Sequence, residues 1–185
     1  MPSPPTPIDK AFERCRLLAR LIDLEYQRAR GTPTAKRYID LGVIRQEDKI
    51  EEAREQIKQA FDELVALINH LTILDMAAAL EHLFKARITT AVGEARKALR
   101  TKYRGRRALA AREKLVREID DFEGLSDITK LISSDLSGEM QQLLDKVREN
   151  RNRFAHGTDL RNPPTILSED ARAALNEAVA LFQPV

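Results

Sequence analysis

Tryptophan is absent from this chain, and aromatic residues make up only 5 % of it. A core must therefore be filled mainly by Leu, Ile, Val and Ala. The one cysteine, Cys15, excludes a disulfide framework and a thiolate metal cluster. On an amphipathic helix it reads as a small core residue. Glycine is sparse, at 7 of 185 residues, so helix-favouring Ala, Leu, Glu, Arg and Lys dominate. No apolar run approaches the roughly 20 residues that span a bilayer. The start, Met1-Pro2-Ser3-Pro4-Pro5-Thr6-Pro7, lacks the apolar centre of a signal peptide and reads as a flexible tail. The expected location is cytoplasmic, with no membrane segment. An excess of charge of one sign is missing too. The net charge is +2, so bulk electrostatics select no partner.

What is present is helical periodicity. The expected class is all-α, an up-and-down helical bundle with an extra N-terminal helix. Residues 1–7 form the tail, 8–45 an N-terminal helical extension, and 46–185 the bundle. The first helix runs from Ile8 to Arg30, with Leu17, Leu18, Leu21, Ile22 and Leu24 clustered on one face. Gly31-Thr32-Pro33 ends it. Ala35 to Gly42 fits either a short helix or an ordered loop.

From Gln46 neither Pro nor Gly occurs until Gly93. Ile50, Ile57, Leu64 and Leu71 make a heptad-like seam that suits a coiled coil or a long helix in an antiparallel bundle. Leu74 to Phe84 is apolar over a wider arc and rich in small residues, which places it at the centre of the fold. Ala108 to Phe122 reads as another helix. Ser126-Asp127 is a plausible N-cap for a short helix, and Ser137-Gly138-Glu139 starts a stronger one bearing Met140, Leu143, Leu144 and Val147. Asn162-Pro163-Pro164 marks a loop, and a last helix follows Ser168, with Leu175, Val179 and Phe182 on one side.

Charge is uneven along the chain. Between Arg100 and Arg117 lie Lys102, Arg104, Arg106, Arg107, Arg112 and Lys114 against a single acid, Glu113. Such a stretch can follow a phosphate backbone, or it can be a solvated helix face with a basic loop. Three scattered histidines give no metal-ligand spacing, and no glycine-rich phosphate loop occurs, so neither metal nor cofactor is expected. His82 reads as a structural or surface residue and His70 as a surface or interface residue.

The segment Arg151-Asn152-Arg153-Phe154-Ala155-His156-Gly157 combines a fixed cation, an amide and a histidine beside a helix end. Asn152 and His156 lie four apart and share a face, while Arg151 must reach round the cylinder. RNA carries its own nucleophile, the 2′-hydroxyl, so a base, an acid and a cation suffice to cleave it. One copy supplies one histidine, and a two-fold dimer would bring two together. An ordinary helix end capped by glycine contains the same residue types.

Arg151-Asn152-x-x-x-His156, between a helix and a loop, resembles the signature of the HEPN superfamily. The fuller string is similar to its RiboL-PSP and bacterial defence types. Residues 77–84 resemble the family's first core helix, and the helix after Ser168 its last. The resemblance implies a metal-independent endoribonuclease with a composite site at a homodimer cleft, in a toxin or defence setting with a partner antitoxin. It gives Arg151 and His156 catalytic roles, lets Asn152 orient, and adds Arg153 by proximity. It also places Glu81 against Arg151. Some toxin members have a tyrosine shortly after the histidine that a partner modifies. Gly157-Thr158-Asp159 stands there instead, so that regulation is not expected. The alternative is a non-catalytic helical module that binds RNA or protein through Arg104, Arg106 and Arg107.

Overall fold

In a computed structural model, residues 4–29, 50–102, 105, 109–111, 113, 114, 117, 124–156 and 165–181 are described. All regular structure among them is helical: α1 (Pro7–Ala29), α2 (Ile50–Lys102), α3 (Leu125–Ile132), a 3-10 turn (Ser133–Asp135), α4 (Gly138–Ala155) and α5 (Ser168–Leu181). The protein is an all-α helical bundle. The expected helix from Ala108 to Phe122 and the segment from Ala35 to Gly42 fall largely or wholly outside the described residues.

The axis of the bundle is α2, 53 residues without a break at His70 to Thr72. Its middle supplies Ile73, Met76, Ala77, Leu80 and Phe84, all fully buried. Against them pack Ile128 and Ile132 of α3, Leu144 and Val147 of α4, and Ala171, Ala174, Leu175 and Ala178 of α5. The alanines let α5 approach closely. The heptad seam drifts, however. Ile57, Phe61 and Ile68 are buried, whereas Leu64 and Leu71 are 43 % and 39 % exposed. A straight helix turns about 20° per heptad away from a seven-residue repeat, so the buried stripe leaves the seam.

α1 runs antiparallel to α2. Arg14 pairs with Asp75 at 2.8 Å, and Tyr26 packs on Phe61 with ring centroids 5.1 Å apart. Ile8, Ala11 and Phe12 belong to the same core as the middle of α2, and Cys15 is buried nearby on the same face. The apolar face expected from Leu17, Leu18, Leu21 and Leu24 is not the packed one. These four leucines are 53–62 % exposed. Of that set only Ile22 turns inward, against the cluster of Ala29, Ile57 and Phe61. Small Ala11 and Cys15 allow the closer approach, so the face they occupy packs and the leucine face points outward.

One expectation about membranes needs correction. Within α2, residues 55–98 include an 18-residue window of mean hydropathy 1.5, long and apolar enough to cross a bilayer by length and composition. A third of that window (33 %) is buried inside the bundle. The sequence reading missed it because scattered charges interrupt the run without removing its mean hydropathy.

Of the expected tail, Thr6 and Pro7 are held at the start of α1. The Thr6 hydroxyl accepts from the Asp9 backbone N–H at 3.0 Å, and the Asp9 carboxylate accepts from the Thr6 backbone N–H at 3.0 Å. This reciprocal box closes the first turn of α1. Asp9 also accepts from Arg172 Nε at 2.8 Å and Asn176 Nδ2 at 3.1 Å, which joins α1 to α5. The Arg172 guanidinium lies 4.8 Å from the Phe12 ring centroid. Burial, the largest influence on Asp9, pushes its carboxyl up. The Thr6 N–H, Arg172, the Thr6 hydroxyl and Asn176 together outweigh it and hold the group at about 2. A depressed carboxyl stabilises the fold above its unfolded value and loses that contribution as pH falls through the folded one. Between roughly pH 4 and pH 2, urea unfolding of the native chain should therefore lose on the order of 2 kcal/mol that Asp9→Asn does not lose. Parallel pH profiles for the two proteins would contradict this.

Candidate functional site

α4 begins at Ser137, whose Oγ accepts from the Met140 N–H at 3.3 Å, as the sequence indicates. Leu144 and Val147 anchor one face in the core, so the positions at 148, 151 and 152 turn toward α3. Its end is at His156, the C-cap residue, whose backbone N–H reaches the Asn152 carbonyl at 3.0 Å. Gly157 lies outside the described residues.

Between α4 and the start of α3 is an open cavity of about 370 Å³ lined by Leu125, Ser126, Arg148, Arg151 and Asn152. Arg151 donates to Asn152 Oδ1 at 3.4 Å, so the guanidinium and the amide lie side by side on one wall. Behind them stands Glu81 of α2. Its Oε1 accepts from the Leu125 N–H at 3.0 Å and lies 3.6 Å from Arg151 Nη2. A carboxylate at the first N–H of a helix satisfies an orphan donor and meets the positive end of the dipole. Glu81 thus fixes the start of α3 and the position of Arg151 at once.

The charge of the site is balanced rather than strongly positive. Arg148 pairs with Asp145 at 2.9 Å, Arg151 with Glu81, and Arg153 with Glu149 at 2.8 Å. The Arg148–Asp145 pair is exposed on both sides, and such pairs are worth only about 0–1 kcal/mol. A phosphate oxygen can displace Asp145 at little cost. Arg151 keeps guanidinium donors beyond the long contact to Glu81. The cavity therefore offers directional donors for an anionic oxygen.

Placement of the sequence candidates divides them. Arg151 and Asn152 line the cavity together. His156 is exposed one turn further on and is not part of that lining. Arg153 points to Glu149 and does not line it either. Arg104, Arg106 and Arg107 lie outside the described residues. His82 is exposed. His70, expected at a surface or interface, is instead 2 % exposed and hydrogen-bonded through Nδ1 to Asn150 Oδ1 at 2.7 Å. It is buried because α4 covers that turn of α2, and the amide beside the motif supplies its polar partner. Sequence reasoning missed Arg148 and Ser126. Arg148 was within reach, since it is three and four residues before Arg151 and Asn152. Ser126 was read only as a cap, a role taken by Gly124.

Among the described residues no group of three His, Cys, Asp or Glu side chains could hold a metal ion. No family model matches this chain, and neither the curated proteins nor the solved structures contain a match.

Gly124 is the tightest point of the site. Its φ of 90° and ψ of −135° suit glycine alone, and a Cβ there would stand 2.9 Å from Glu81 Oε1. Gly124→Ala should destabilise the fold by about 1–3 kcal/mol in urea unfolding, through backbone strain and displacement of Glu81. An unchanged midpoint would contradict the proposed packing.

Proposed function

We propose that this chain is a cytoplasmic, metal-independent endoribonuclease of HEPN type, active as a homodimer. The observation that carries the reading is the convergence of Arg151 and Asn152 on one open cavity with Arg148 and Ser126, backed by Glu81. Arg151 holds a non-bridging phosphate oxygen of RNA, and Asn152 keeps the phosphate or the His156 ring in register. The 2′-hydroxyl attacks phosphorus as a base removes its proton. The 5′-oxygen leaves with a proton from an acid, giving a cyclic phosphate and a 5′-hydroxyl. Each chain contributes one motif histidine, so His156 of a second copy fills the remaining role. Its exposure leaves it available for that contact. A toxin or defence role, with an antitoxin or other defence-system protein as partner, rests on the resemblance of the motif alone.

One observation favours a second reading. His156 stands outside the cavity lining within a single chain. A non-catalytic module that grips RNA or a protein partner requires no histidine there.

RNA cleavage in EDTA separates the two. Wild type should cleave, with His156→Ala slower by about 10²–10⁴-fold and Arg151→Ala by about 10²–10³-fold. An inert wild type, or variants that match it, would leave only the binding module.

A further inference from the structure

The last turns of α2 carry a second cavity, of about 330 Å³, lined by Gly93, Arg96, Lys97 and Arg100. These positions are spaced i, i+3, i+4 and i+7, so they form one helix face. Three cations converge there. The Nε of Arg96 is buried and has no hydrogen-bond partner, a donor left waiting for an acceptor. No ion pair occupies Lys97 or Arg100 among the described residues, unlike the arginines of α4. The nearest acid on this part of α2, Glu94, is one turn before Lys97 and lines a different hollow.

Gly93 adds an independent sign. It is a poor helix former inside a long helix. Nothing lies within 4 Å of a Cβ placed on it, so neither packing nor backbone requires glycine. What its missing side chain does is leave the floor of the cavity open. Toward Glu81 the same face runs through Thr90, Thr89, Ala86 and His82, all exposed; Thr90 and Ala86 also border the hollow that Glu94 lines. Glu81 and Arg96 are 15 residues apart, or roughly 22 Å along the helix axis.

From this geometry we infer that the Gly93–Arg100 face is a backbone-phosphate subsite for single-stranded RNA, separate from the Arg151 cavity. It grips the strand roughly 22 Å along α2 from Glu81, the residue behind the Arg151 cavity. The identity of the ligand rests on the ribonuclease reading; the phosphate chemistry of the subsite does not. Arginine and lysine that release counterions from a single strand give a salt slope of about −0.7 per phosphate contact.

The test is binding of a short uridine oligonucleotide as a function of salt, with cleavage followed separately. Arg96→Gln/Lys97→Gln/Arg100→Gln should bind roughly tenfold more weakly at low salt, with a slope shallower by about 2. Gly93→Leu, which favours helix and fills the floor, should weaken binding without loss of helicity. A triple variant that keeps the wild-type affinity and slope overturns the subsite, whether or not the protein cleaves. The same holds if wild type binds vesicles rich in phosphatidylserine but not the oligonucleotide. Weakened binding in the triple variant, from a wild type that never cleaves, supports the subsite and removes the ribonuclease.

Discussion

One carboxylate joins the three helices around the candidate site. Glu81 sits at the flank of α2, and its Oε1 accepts the first N–H of α3 while lying 3.6 Å from Arg151 on α4. Each contact is modest alone. Together they over-determine the carboxylate, which is only 24 % exposed. The glycine at 124 exists because the chain must pass Glu81 with no side chain between them. Remove that approach and α3 loses its start, Arg151 loses its backing, and the cavity loses a wall. Beside this joint, the buried His70–Asn150 hydrogen bond, made by the residue directly before Arg151, pins the same turn of α4 to α2. The candidate site thus inherits its rigidity from the core.

Much of this architecture was legible in the sequence because helix is what the residues favour everywhere. The small, wide apolar arc of Leu74 to Phe84 marked the centre correctly, and the 3.6-residue spacing of Leu144 and Val147 gave the buried face of α4. Where the reading went astray, large residues were weighed above small ones. In α1 four leucines outnumber Ala11 and Cys15, yet the small residues face the core, because close helix approach gains contact along the whole interface. The seam of α2 failed for a geometric reason: a repeat of seven does not stay on one side of a straight helix.

The site was half legible. Arg151 and Asn152 are adjacent, and sequence alone makes them neighbours. Glu81 interrupts an apolar helix, a visible anomaly, but its link to Leu125 spans 44 residues and depends on the tertiary fold. The burial of His70 was hidden for the same reason: its partner Asn150 is 80 residues away. That His156 stands apart from the cavity follows from helix geometry. It caps α4, where the chain leaves the cylinder, one turn beyond the wall that Asn152 forms.

The proposed reaction needs both the held cation on α4 and the exposed histidine at its end. In the proposed ribonuclease reaction the nucleophile is the 2′-hydroxyl, so the products would carry its signature. Mass analysis of the cut ends is the most direct measurement. Fragments ending in a 2′,3′-cyclic phosphate, each followed by one with a 5′-hydroxyl, are the predicted result. Fragments ending in a 3′-hydroxyl would contradict it.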